Sequence, residues 1–268
     1  MSNCNPVSTP MQAIDFSKAD APAPGTDEFY RVSKFDYRSV IGSLQQICRF
    51  TRPDISFAVG CVSRFSHNYG QKHISAVKRI LKYLQGTKHL QLKIEPLVDN
   101  TIVFNSQLVG FADADWGNDK DAARSTSGYG IYVGSALISW GSRLQPKVST
   151  STTEAEYVAC YYAETELIWM RSWLSSMGLL NLDESTVLYT DNQAAIKLAQ
   201  FHMVTARSKH IDTKYNFLRH QVQHKKLNLK FIPGLDNTAD IFTKPLPGPR
   251  FRTLRNLLKL TDAPNESE

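Results

Sequence analysis

The sequence predicts an α/β fold: a mixed five-stranded sheet with flanking helices, preceded by a small all-helical subdomain. Three observations carry this. From Tyr37 to Thr87 the apolar residues recur at helical spacing. From Leu108 to Trp140 they fall in short strand-like runs parted by turn residues such as Gly134-Ser135. Beyond that, apolar runs of strand length alternate with helical stretches, the pattern of parallel strands joined through helices.

In chain order, residues 1–29 hold Pro6, Pro10, Pro22, Pro24 and Gly25 with little periodicity and read as an extended or disordered lead-in. Residues 30–95 form the helical segment. Its stripes are Val40, Leu44 and Ile47; then Ile55, Val59, Val62 and Phe65; then Ile74, Val77, Leu81 and Leu84. Pro53 suits the first turn of the second helix. Lys78, Arg79, Lys82 and Lys88 on the third either touch phosphate or form a solvated face. Strands are expected at Leu108–Asp115, Gly128–Val133 and Ala136–Trp140, an antiparallel meander. A long helix from Thr153 to Met177 follows, then a strand at Val187–Thr190 and helices at Asn192–Phe201 and His210–His224. The strand Leu227–Ile232 leads to a short helix after Asn237, and a terminal helix spans Phe251–Leu260. The sheet domain is thus placed at 105–246, and a C-terminal helix and tail at 247–268.

At 268 residues, 42% of them apolar, with a mean hydropathy of −0.31, the chain suits one or two soluble domains. No apolar run approaches the roughly 18 residues a membrane span needs, and the N-terminus lacks a basic-then-apolar export signal. Cys4, Cys48, Cys61 and Cys160 are scattered, which suggests reduced thiols in an intracellular protein and disfavours a zinc site. Net charge is +6. From Lys197 to Lys259 there are thirteen Lys/Arg against three acids, Asp212, Asp236 and Asp240, which fits a polyanionic partner such as nucleic acid.

Four acids stand where elements start or end: Asp113, Glu156, Asp191 and Asp240. Each has a bland alternative. Asp191 can cap the helix after it, and Asp240 can favour a helix N-terminus. Glu156 can close a capping box with Thr153, although Ser151 and Glu154 offer an equal one. Asp113 can be a plain strand-end acid. Geometry favours a shared site. Glu156 heads the stripe Ala159, Cys160, Ala163, Leu167, Met170 and Leu174, whereas Glu154 lies about 200° away around the helix. The parallel strands end at Asp191 and shortly before Asp240, on the edge where α/β sheets bind ligands. Alternation puts Asp113 and Asp115 on one face, so periodicity leaves that pair undecided. Four gathered carboxylates repel one another unless divalent cations neutralise them, which points to metal-dependent phosphodiester chemistry.

FADADWGNDKDAARSTSGY, ISWGSRLQPKVSTSTTEAEYVA, LYTDNQAAIKLA, RSKHIDTKYNFLR and NTADIFTKPL together resemble the ribonuclease H domain of copia-type LTR retrotransposon Pol polyproteins. YRSVIGSLQQICRFTRPDISFAVGCVSRFSH and AVKRILKYLQGT resemble the segment joining reverse transcriptase to that domain, and NCNPVSTPM the end of the polymerase region. The resemblance covers nearly the whole chain. It implies a ribonuclease-H-like sheet with Asp113, Glu156, Asp191 and Asp240 in one cluster, and it selects Asp113 over Asp115. It implies hydrolysis of the RNA strand of an RNA–DNA hybrid by two Mg²⁺ ions about 4 Å apart, with Asp113 as bridge and Mn²⁺ able to substitute. One ion would activate the attacking water and the other stabilise the leaving 3′ oxygen. Hybrid-binding candidates are Arg124, Ser125, Thr126 and Ser127, with Arg207, Lys209 and His210. The loop Pro233-Gly234-Leu235-Asp236 has no His where many ribonucleases H carry one, so a product-release role is not transferred.

No Tyr-x-Asp-Asp polymerase box is present, so the chain is expected not to polymerise by itself and to be a truncated or excised reading frame. Its partners would be an RNA–DNA hybrid and the polymerase part of the parent polyprotein, with no membrane. Its setting would be the cytoplasm, in virus-like particles if the element is active, or the nucleus. Two rival readings remain: a catalytically inactive nucleic-acid-binding remnant, and a DNA transposase or resolvase on the same fold.

Overall fold

The computed structural model describes residues 4–94, 108–200 and 213–262. The helices are α1 (Asp27–Ser33), α2 (Tyr37–Phe50), α3 (Ser56–Ser63), α4 (Gln71–Gly86), α5 (Thr152–Ser176), α6 (Gln193–Gln200), α7 (Thr213–Gln223) and α8 (Gly248–Leu257). The strands are β1 (Leu90–Leu92), β2 (Leu108–Asp115), β3 (Thr126–Val133), β4 (Ala136–Leu144), β5 (Thr186–Thr190), β6 (Leu227–Phe231) and β7 (Leu260–Asp262). Short 3-10 turns occupy Lys18–Asp20, Pro53–Ile55 and Thr238–Phe242. Among the described residues no helix is long and apolar enough to cross a membrane.

The chain divides into two compact units. The first comprises residues 1–93, 119–123 and 244–268, so the C-terminal helix groups with the helical segment. The second comprises residues 94–118 and 124–243.

In the first unit the lead-in, expected to be extended or disordered, packs against the helices. Thr9 and Met11 are buried, and Phe16 packs against the rings of both Phe65 and His73. Thr26 accepts from the Phe29 N–H and starts α1 inside the stretch expected to lack structure. The end of α4 is tied to the Pro53 turn by buried ions. Arg52 grips Asp54 through Nε (3.0 Å) and Nη2 (2.8 Å) and also donates to the carbonyl and hydroxyl oxygens of Thr87. Tyr83 donates to the same Asp54 carboxylate. Removing one member of a buried pair strands the other charge, so Arg52→Met is expected to cost about 3 kcal/mol in denaturant unfolding. Arg52→Met combined with Asp54→Leu should recover most of that loss. Strands β1 and β7 pair antiparallel, Leu90 with Asp262 and Leu92 with Leu260, joining the C-terminal end of α4 to that of α8.

The second unit holds a five-stranded sheet in the order β4-β3-β2-β5-β6. The first three strands are antiparallel, while β5 and β6 run parallel to β2. This is the ribonuclease-H-like mixed sheet the sequence implies. Leu108, Gly110 and Ala112 alternate toward α5, whose Ala159, Ala163 and Leu167 pack on them. Gly110 makes the close approach possible: a methyl there would lie 2.8 Å from Leu167 and 3.0 Å from Leu188.

Candidate metal centre

Asp113 sits near the C-terminal end of the central strand β2, almost fully buried (1% exposed), and pairs across the ladder with Gly128 of β3. The absent side chain at Gly128 lets the Thr238–Phe242 turn press on the sheet, since a methyl there would meet Phe242 at 2.7 Å and Thr243 at 2.6 Å. The turn is clamped from both ends. Asn237 is buried, donates to the Ala112 carbonyl (2.9 Å) and accepts from the Ala239 N–H (3.1 Å). Thr243 donates to the Asp113 carboxylate, and its hydroxyl lies 3.1 Å from the Asp240 carbonyl oxygen.

Glu156 and Glu154 divide the work at the start of α5. Ser151 caps the helix by accepting from the Glu154 N–H (3.1 Å), and Glu154 reaches back to the N–H and hydroxyl of Thr150, both at 2.7 Å. Local capping is thereby complete without Glu156. Glu156 is buried and accepts from the Ala114 N–H at 3.2 Å, across to β2. At the end of β5 a similar division holds. Asn192 Oδ1 accepts from the Ala195 N–H (2.9 Å) and so caps α6, while Asp191 is half-buried beside Gly234. A methyl at Gly234 would lie 3.0 Å from Asp191 Oδ2, so glycine leaves that carboxylate room.

Asp113, Glu156 and Asp191 each bring a carboxylate oxygen within 4.8 Å of the others. The fourth expected member, Asp240, is buried in the 3-10 turn but does not belong to this group; its backbone reaches Asp113 through Thr243. Asp115 accepts from the Asn118 side chain in the following turn. The donor set of the group is oxygen alone, which suits hard divalent cations such as Mg²⁺ or Mn²⁺ and not thiolate-preferring metals.

The expected hybrid contacts fare differently. Ser125, Thr126 and Ser127 are buried, so they do not present hydroxyls to an outside backbone. Ser125 accepts from the Gly117 N–H, and Ser127 accepts from Gln145, which also donates to the Ala155 carbonyl oxygen. They brace the turn and the α5 entry instead. Arg124 is half-buried. Arg207, Lys209 and His210 lie outside the described residues. Three residues escaped the sequence reading. Thr243 and Asn237 flank Asp240 at a spacing that a turn reading offers no reason to single out. Trp116, three residues past Asp113, is 52% exposed while its indole N–H donates to the Ser149 carbonyl (2.9 Å). An apolar residue straight after a strand of acids was the available signal.

The chain is 38% identical over 262 residues (96% of its length) to the retrovirus-related Pol polyprotein from transposon TNT 1-94 of Nicotiana tabacum. It is 37% identical over 267 residues (98%) to that from transposon RE1 of Arabidopsis thaliana. It belongs to the transposon Pol polyproteins. This Pol segment spans 19% and 17% of those two relatives, roughly a fifth of their length. Among solved structures, LC11-RNase H1 in complex with an RNA/DNA hybrid aligns with 51% of this segment and 94% of its own chain, at 15% identity and a TM-score of 0.38. No protein-family model matches. The five-stranded unit has a ribonuclease-H-like fold.

Proposed function

We propose that this domain hydrolyses the RNA strand of RNA–DNA hybrids with divalent cations bound at Asp113, Glu156 and Asp191. The observation that carries the reading is the convergence of those three carboxylates, drawn from β2, α5 and the end of β5, to within 4.8 Å. Neither capping nor strand-end propensity requires them to meet, because Ser151, Glu154 and Asn192 already serve the helix ends. When bound, a divalent pair would lower the pKa of water and stabilise charge at the phosphate.

The residues have separate tasks. Asp113, held by Thr243, would be a ligand, and so would Glu156, which is aimed at β2 by its bond to Ala114. Asp191 is the most open member and faces the glycine of the 233–236 loop. Asp240, whose backbone carbonyl is linked to Asp113 through Thr243, would offer a fourth carboxylate to a second ion. Trp116, with its edge fixed and its surface open, can stack on a sugar or base of the hybrid.

With a hybrid labelled on its RNA strand, the chain is expected to cleave that strand when Mg²⁺ is supplied, and Asp191→Asn is expected to abolish cleavage. Absence of cleavage, or cleavage indifferent to Asp191→Asn, would overturn the reading. Binding without turnover would favour an inactive remnant, and equal cleavage of duplex DNA would favour a DNA-processing enzyme.

A further inference from the structure

The positive charge of this chain is not shared between its units. The helical unit carries nineteen Lys/Arg against eleven Asp/Glu, whereas the sheet unit carries twelve against fourteen. The unit with the carboxylate site is thus slightly acidic, and the excess lies elsewhere. Within the helical unit it concentrates on two packed helices. The Tyr83 ring of α4 meets Phe251 of α8 edge-on at 5.6 Å, and Arg255 of α8 reaches the Tyr83 hydroxyl at 3.5 Å. Between them α4 and α8 carry Lys78, Arg79, Lys82, Arg250, Arg252 and Arg255, besides Lys72, which is paired with Asp20 at 3.2 Å, and neither helix carries a carboxylate of its own. Lys88 and Lys259 extend the series just past the two helix ends, and nearby Asp262 is engaged by His89 at 3.0 Å.

Two of the arginines are partly sunk. Arg79 donates to Thr9, and the Nε atoms of Arg79 and Arg255 are buried without a hydrogen-bond partner. Cations gathered this way repel one another and favour an external polyanion over a merely solvated surface. None of the large apolar side chains of α4 is exposed, so that helix lacks the residues an amphipathic helix inserts into a lipid surface.

We propose that the α4–α8 face of the helical unit is a docking surface for the phosphate backbone of the nucleic-acid substrate. The substrate class rests on the reading given under Proposed function; the surface itself rests on the charge distribution. On this view affinity and chemistry are divided: the helical unit holds the backbone, and the acidic sheet unit supplies the carboxylates.

The test is binding of a fluorescent RNA–DNA hybrid to the full chain in EDTA across a KCl series. Lys82→Gln combined with Arg252→Gln should weaken binding about tenfold or more and reduce the slope of log K against log[salt] by about two. Lys225→Gln with Lys226→Gln removes the same charge from exposed positions before β6, at the opposite end of the parallel strands from Asp191, and should leave the slope unchanged. In cleavage assays the Lys82/Arg252 pair should raise KM and leave kcat unchanged. Binding and salt slope equal to wild type, equal losses in both pairs, or tighter binding to phosphatidylserine vesicles than to hybrid would overturn the proposal. Should the wild-type chain bind hybrid in this salt-dependent way yet fail to cleave it, the docking surface stands and the catalytic reading falls.

Discussion

Asp113→Asn is expected to lower hybrid cleavage by roughly 10³-fold or more, the scale of losing an essential catalytic group, while making the cation-free chain more stable. Both effects have one cause. Three carboxylates within 4.8 Å of one another, two of them buried, repel strongly unless a cation lies among them. Asparagine keeps the shape and can still accept from the Thr243 hydroxyl, so the turn stays docked while a charge leaves the cluster. In EDTA, unfolding should show a gain of about 1–3 kcal/mol, a fraction of the Coulomb energy of such pairs at protein-like dielectric. Adding Mg²⁺ at about a hundred times its dissociation constant should stabilise wild type by about 2.7 kcal/mol and the variant by much less. A variant that is inactive and also less stable in EDTA would mean that Asp113 holds the fold together rather than a cation.

Glu164→Gln is expected to stabilise the protein, increasingly so as pH rises. Glu164 lies on α5 two turns beyond Glu156, is fully buried, and neither carboxyl oxygen has a hydrogen-bond partner. Burial alone pushes its carboxyl up from 4.5 to about 9, so it is folded in as the neutral acid. Its contribution is fully present below pH 4.5, where the unfolded chain is protonated as well. It is lost as pH rises from there through about 9, because the unfolded chain ionises freely and the folded one does not. At about 1.4 kcal/mol per pH unit from 4.5 upward, the accumulated cost at pH 7 is about 3.5 kcal/mol as an upper figure. Glutamine has the same length and no charge to lose. Denaturant unfolding at pH 5, 7 and 9 should therefore show a gap between variant and wild type that widens with pH. A gap that stays constant, or a variant less stable at every pH, would show that the carboxyl is not held neutral.

Much of the sheet unit was legible because its signals are local. Strand β2 falls at Leu108–Asp115 as read, since alternation and the Trp116-Gly117 turn mark both ends. The preference for Glu156 over Glu154 followed from helical periodicity alone, and the structure shows Glu154 occupied with capping. What the sequence hid depends on pairing or space. The three-residue strands β1 and β7 are too short for alternation to appear and exist through each other. The room at Gly128 that lets the Thr238–Phe242 turn dock is invisible until β2 and β3 are in register. The basic C-terminal third was read as a charge excess suited to a polyanion, and the fold assigns its cations from Lys244 onward to the helical unit. Ser125, Thr126 and Ser127 looked like surface hydroxyls because nothing in their own sequence reveals Gln145 above them.

On the proposed function, Asp113, Glu156 and Asp191 act as one divalent-cation site. Its most direct test is anomalous diffraction at the manganese edge from crystals of the full chain grown with Mn²⁺. A peak bonded by carboxylate oxygens from all three residues is the expected result. Ordered manganese elsewhere with none between these carboxylates, or a peak that persists there in Asp113→Asn, would contradict it.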